Sequence, residues 1–184
     1  SFSNGKDNVI NEYNFIVIEG IIDTVGEIHH LLHQASVNKE NYIIFCLGMT
    51  EEVKRTILEN NKRGITNIFP ICFDSTEENI NVLNDIAVIH DCDIISAGKG
   101  QTVSQESRKK LPRGKSLTLH SDGFYVELLC SKEKIESHKK FLKERYENTD
   151  NEKNRVLIMK RHKKLFSKKI SIYLPDQIKS NIEL

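Results

Sequence analysis

The residue types able to do chemistry fall in a few short segments. The segment EIHHLLH carries Glu27, His29, His30 and His33. On a helix, His29 and His33 would share one face, as would His30 and His33, and a metal ion could bridge two such imidazoles. Two imidazoles do not complete a zinc site, and neither HExxH nor HxxEH is present to supply a base, so surface histidines are the simpler reading. AGKGQT, from Ala97 to Thr102, has the composition of a phosphate loop without its order, because Gly100 follows Lys99 where a Walker loop requires Ser or Thr. RKKLPRGK, from Arg108 to Lys115, and the lysines further on could meet phosphate backbones. Glu133, Glu136, Glu144 and Glu147 interleave with those lysines, and neither a recognition helix nor a set of stacking aromatics accompanies them. Cys46, Cys72, Cys92 and Cys130 form no CxxC pair; Cys46 and Cys72 lie in apolar runs and read as reduced core thiols. There is no GxSxG elbow, and no Cys/His pair stands out, so nothing in the sequence requires an enzyme.

The elements that must position these residues are legible in the periodicity. Short continuous apolar runs alternate with amphipathic stretches, the pattern of βα units on a sheet. Phe15 to Ile18 predicts a strand, followed by a helix from about Thr24 to Ala35 with Val25, Ile28, Leu31, Leu32 and Ala35 on one stripe. Tyr42 to Leu47 is a second strand, and Thr50 caps a helix with Glu51 and Glu52 in its first turn, where the backbone dipole favours negative charge. That helix ends near Asn60 and Asn61. Ile65 to Phe73 is a third strand, placed at an edge or a bulge by Pro70, which cannot donate to a ladder. Ser75 or Thr76 caps a helix reaching about Ile89, and Asp93 to Ser96 is a short strand. Ala97 to Lys115 reads as an irregular basic excursion. Ser116 to Leu119 and Phe124 to Leu129 flank Asp122-Gly123, a strong hairpin signal. Helices from Ser131 to about Tyr146 and from about Asn151 to Leu165 precede a strand from Ile170 to Leu174. The hairpin and the tandem helices break the βα rhythm, so a plain doubly wound sheet is not expected.

The 184 residues suit one domain, since domains run to about 100–200 residues. The apolar runs are strand-length and far below the roughly 18 residues of a bilayer span, so no membrane partner is expected. The N-terminal SFSNGKDN has neither a signal-peptide nor a transit-peptide pattern, and a start at Ser1 suggests a processed chain or an excised domain. The net charge of +1 conceals a division: residues 1–96 hold 6 Lys/Arg against 15 Asp/Glu, and residues 97–184 hold 21 against 11. Such asymmetry raises the hypothesis of a nucleic-acid or membrane surface.

The order and spacing of residues from Phe15 to Ser96 resemble the apical domain of group I, GroEL-type chaperonins. FIVIEGIIDTVGEIHHLLHQA is similar to the family's strand, turn and first cavity-facing helix, and ENYIIFCLG to its next strand. TEEVKRTILENNKRGITNIFPICF resembles the second cavity-facing helix, an Arg-Gly turn at Arg63-Gly64 and the strand beyond. NVLNDIAVIHDCDIIS resembles the family's Leu-x-Asp-Ile-Ala helix, with Leu83, Asp85, Ile86, Ala87 and Ser96 in register. Phe2 and Gly5 match an entry Phe-x-x-Gly, and the hairpin, the two late helices and KKISIYLP match the closing elements more loosely.

The resemblance implies an α/β fold of β-sheets flanked by helices, of the swivelling β/β/α type, as one apical domain with an entry segment 1–13, a core 14–174 and an exit segment 175–184. It implies the capture of non-native polypeptides for ATP-driven folding in a homo-oligomeric ring, and binding of a GroES-type co-chaperonin lid at the same place. The family's contact positions fall on His29, Leu32, Lys54, Leu58 and Glu59. It implies no catalytic residue, metal or cofactor in this domain, since ATP and Mg would belong to an equatorial domain of the parent chaperonin. The location it implies is an organelle matrix, mitochondrial or plastid, in a eukaryote, or the cytoplasm in a bacterial or viral setting. The alternatives are an apical-fold module specialised for one protein partner and a basic-face nucleic-acid binder.

Overall fold

The computed structural model describes residues 8–120, 123–127, 132–164 and 169–173. Its organising element is β1 (Asn8–Glu19), which lies at the centre of a mixed sheet. On one side β1 pairs in parallel with β3 (Asn41–Cys46), and β3 pairs in parallel with β5 (Asn67–Cys72). On the other side β1 runs antiparallel to β7 (Arg113–His120), followed by β8 (Gly123–Glu127) and β9 (Lys169–Tyr173). The last residues of β1 also pair with β6 (Ile95–Ser96). A small second sheet joins β2 (Ile21–Ile22) to β4 (Gly48–Met49). Pro70 sits on β5 at the outer end of the strand order, where a missing donor disturbs no further ladder.

The continuous apolar runs follow from burial on both faces. Phe15, Val17, Ile43, Phe45 and Ile71 point to one side with the helix α3 (Glu77–Ile89), where Val82, Leu83, Ile86 and Ala87 meet them. Leu142 of α5 (Lys132–Glu147) and Ile158 of α6 (Glu152–Lys164) complete that layer. Ile16, Ile18, Tyr42, Ile44, Cys46, Ile68 and Cys72 point to the other side, against α1 (His29–Asn38) and α2 (Glu51–Lys62). The protein is thus a mixed α/β fold whose parallel sheet is flanked by helices on both faces.

Three sequence expectations are revised. The first strand begins at Asn8 rather than Phe15, and Ile10 and Tyr13, assigned to an entry segment, are buried core residues. The stretch Ala97 to Lys115 is not wholly irregular: it holds a 3₁₀ turn, a four-residue helix α4 (Val103–Glu106), and the start of β7. The first helix opens with a 3₁₀ turn, Val25–Ile28, before α1 proper. The Ser131 cap, Cys130, the Phe2 and Gly5 matches and the exit segment lie outside the described residues.

The charge division has a structural counterpart. Arg113 pairs with Glu40 at 2.9 Å, Lys160 with Glu78 at 3.9 Å, and Lys134 with Asp91, each joining the basic half to the acidic half. Exposed pairs of this kind contribute little singly. A further pair is buried, Arg161 with Asp85 at 2.8 Å, and it fastens α6 to α3.

Tyr13 and His90 form a polar pair inside the apolar layer. His90 Nδ1 lies 2.8 Å from the Ile86 carbonyl, which can only accept, so Nδ1 carries the proton. Nε2 therefore accepts from the Tyr13 hydroxyl at 3.0 Å. Burial lowers the His90 pKa from 6.5 to about 4 and raises that of Tyr13, so both groups stay neutral near pH 7. Because the unfolded chain binds the His90 proton at higher pH than the folded one, stability present above pH 6.5 falls as the pH drops toward 4. Urea unfolding at pH 7 and pH 5 is expected to differ by about 2 kcal/mol from this group, and His90→Gln should remove most of that difference.

Candidate functional site

The site positions implied by the resemblance all lie on α1 and α2, and the chain fastens these two helices side by side at both ends. At the start, Glu27 accepts from the backbone N–H groups of Asp23 (3.0 Å) and Thr24 (2.9 Å), closing the turn that leads into α1. Thr50, at the head of α2, donates its hydroxyl to the Asp23 carbonyl (3.0 Å) and its N–H to the Ile22 carbonyl (3.1 Å). At the other end, α1 stops at Lys39, in the left-handed conformation with φ 55°. Its ammonium donates to the carbonyls of Gly64 (3.1 Å) and Ile65 (2.9 Å), just beyond α2. Asn61 then anchors the end of α2 to β5, accepting from the N–H of Ile68 (3.1 Å) and donating to its carbonyl (2.7 Å).

Both helices bury one stripe and leave the rest outward. Ile28, Leu31 and Ala35 of the first segment and Val53 and Ile57 of α2 are buried against the sheet. His29 and Glu59 are exposed, whereas Leu32, Lys54 and Leu58 are half-buried. Leu32, like Val25, packs against the buried cluster, and helix periodicity sets it on the opposite flank of α1 from His30 and Gln34. His30 and Gln34 reach the other way: Arg108 Nε donates to His30 Nε2 at 2.8 Å, and Gln34 donates to the Ser107 carbonyl at 2.8 Å. The charged positions are engaged along their own helix, Lys54 with Glu51 at 2.9 Å and Glu59 with Arg63 at 3.7 Å. The outer surface of the pair therefore alternates half-buried leucines with ion-paired and imidazole side chains.

The other sequence candidates resolve into structural roles. Among the described residues no group of three or more His, Cys, Asp or Glu side chains is placed to hold a metal ion. Within EIHHLLH, Glu27 closes the helix start and His29 and His30 meet edge to face with centroids 5.7 Å apart. AGKGQT forms a single 3₁₀ turn, Ala97–Lys99, stopped by Gly100 at φ 70°, after which Thr102 caps the four-residue α4. No phosphate-cradling loop opening a long helix results. In RKKLPRGK, Arg108, Lys109 and Arg113 are occupied by His30, Glu106 and Glu40. No described helix is long and apolar enough to cross a membrane.

Two features escape a reading of the sequence alone. Asp85, which the resemblance places in register, accepts from Arg161 and His138, partners 76 and 53 residues away. Cys46 and Cys72 prove to be direct neighbours across the β3–β5 ladder. No family model matches this chain, and no curated protein matches it.

Proposed function

We propose that this chain is the substrate-gripping apical domain of a divergent GroEL-type chaperonin. The observation that carries the reading is the parallel pair α1 and α2, fastened at both ends on one sheet face, with Leu32 and Leu58 half-buried on its outer surface. Burial of apolar surface is favourable by about 25 cal/mol per Å² and is indifferent to sequence, so such a ledge suits extended, non-native chains. The same surface would take the mobile segment of a GroES-type lid. In this reading ATP hydrolysis belongs to a separate equatorial domain, and the ring arises from contacts of the parent protein. The five positions His29, Leu32, Lys54, Leu58 and Glu59 are the proposed contact set.

A test protein that is reduced and alkylated, and so cannot fold, should bind the immobilised chain in surface plasmon resonance. Leu32→Glu with Leu58→Glu is expected to weaken that binding by about 2 kcal/mol, roughly 30-fold in Kd, with an unchanged circular dichroism spectrum. Equal binding by the folded double variant would overturn the reading. Binding by apolar contact should also persist at high salt, whereas a phosphate-backbone ligand on the basic half would be lost steeply.

A second reading is favoured by the chemistry of His29, Lys54 and Glu59, which place polar side chains at the remaining positions of the set. There the pair of helices serves one partner with complementary charge. Lys54→Leu with Glu59→Val separates the two: it should strengthen binding of generic unfolded chains and weaken binding of such a partner.

A further inference from the structure

Cys46 and Cys72 lie 26 residues apart in sequence, and the parallel ladder sets them opposite one another. Aligned residues of neighbouring strands project to the same face, and the strands run about 4.8 Å apart. That spacing falls inside the roughly 4.4–6.8 Å between Cα atoms that a disulfide spans. The two Sγ atoms are already 3.6 Å apart, so side-chain rotation rather than backbone movement is what separates them from a bond.

The two thiols are unequal. Cys46 is fully buried, whereas Cys72, on the outer strand, keeps 9% of its surface exposed. With the shared proton on Cys46, the S–H···S contact raises the Cys46 pKa and lowers that of Cys72 against the opposing effect of burial, and the nearby Lys54 ammonium also favours a Cys72 thiolate. Cys92 provides a contrast, since burial first and then Asp93 and Asp91 push its thiol up to about 12.

We propose that Cys46 and Cys72 are a redox modification site that closes to a reversible disulfide on exposure to a hydroperoxide. The Cys72 thiolate attacks one peroxide oxygen, the O–O bond breaks, and hydroxide leaves, giving a sulfenic acid on Cys72. The Cys46 sulfur then attacks the Cys72 sulfur, the S–O bond breaks, and the hydroxyl departs as water with the Cys46 proton. Two thiols lose two electrons in all, and hydrogen peroxide is reduced to two waters. A dithiol reductant reverses the bond by exchange and is itself oxidised to a disulfide. The bond ties β3 to β5 at the ends from which α2 and α3 depart, under the Val53 and Ile57 contacts that seat α2.

The test treats the folded full chain with hydrogen peroxide, blocks remaining thiols with N-ethylmaleimide in denaturant, and maps an unreduced digest by mass spectrometry. The expected result is a peptide pair joining Cys46 to Cys72 that dithiothreitol abolishes, with Cys92 carrying maleimide. Maleimide on both Cys46 and Cys72, or linkage only through Cys92 or Cys130, would overturn the proposal. In Cys46→Ser, Cys72 should stop at the sulfenic acid and be labelled by dimedone. The wild-type map decides the matter even where that variant fails to fold.

Discussion

Asp85→Ala is expected to destabilise the fold by about 3–5 kcal/mol, a large part of the roughly 5–15 kcal/mol that holds a domain together. Asp85 and Arg161 are 7% and 8% exposed, and their contact is two-pronged. Arg161 Nη2 donates to Oδ1 at 2.8 Å and Nε to Oδ2 at 3.0 Å, while Nη1 donates to the Asn81 side chain at 2.8 Å. His138 Nε2 donates to the same Oδ1 at 3.0 Å. Removing the carboxylate leaves a buried guanidinium with the neutral Asn81 side chain as its partner among these contacts, and deprives the half-buried His138 imidazole of its acceptor. The cost is that of the stranded charge rather than the worth of the pair. Replacing both members by apolar residues, Asp85→Leu with Arg161→Met, should therefore recover most of the loss and bring the free energy of unfolding in urea to within about 1 kcal/mol of wild type. A double variant as unstable as Asp85→Ala would show instead that the ion pair itself contributes the stability.

That pair also gives the charge division its physical content. A near-neutral sequence of 184 residues does not announce an internal electrostatic seam, but an acidic βα half and a basic helical half must meet somewhere if they form one core. Arg113 with Glu40, Lys160 with Glu78 and Arg161 with Asp85 are places where they do. Part of the basic character that raised nucleic acid as a hypothesis is thus consumed within the fold.

What could be read in the sequence was whatever depends on near neighbours. Tyr42 to Leu47 and the stripe of Ile80, Leu83, Ile86 and Ala87 declare a strand and a helix because burial on both faces, or on one stripe, leaves a local pattern. A cap at Ser75 or Thr76 declares itself because its partner lies close in sequence, and Thr76 takes the role by accepting from the N–H of Asn79, three residues on. What could not be read depends on distant partners. Asn8 to Asn14 and Arg113 to Lys115 look too polar for strands, yet both belong to the β1–β7 ladder, in which Asn8 to Asn11 pair with Ser116 to Leu119 and Tyr13 and Asn14 pair with Gly114 and Arg113. The thiol pair exists only because the register of β3 on β5 aligns Cys46 with Cys72. For the site, the two helices were legible and their outward polar positions were legible. Their mutual fastening was not, because Lys39 reaches carbonyls 25 and 26 residues away.

Gly114→Ala is expected to cost about 4 kcal/mol, combining overpacking of about 3 kcal/mol with the loss of one buried hydrogen bond. Gly114 faces Tyr13 directly across the β1–β7 ladder, and the Tyr13 ring lies over it: a Cβ built at Gly114 would fall within that ring. The ring has nowhere to retreat. It is fully buried, meets Phe15 edge to face with centroids 6.0 Å apart, and its hydroxyl is held by His90. Here glycine is required by space rather than by backbone conformation, since the neighbouring aromatic fills the volume that a side chain would take. A denaturant midpoint for Gly114→Ala near that of wild type would mean that Tyr13 can swing aside. The decisive companion is Tyr13→Leu with Gly114→Ala, in which the smaller side chain leaves room for the methyl group. The alanine should then cost less than in the wild-type background, a coupling of about 2 kcal/mol between two residues 101 positions apart in chain order and adjacent in the sheet.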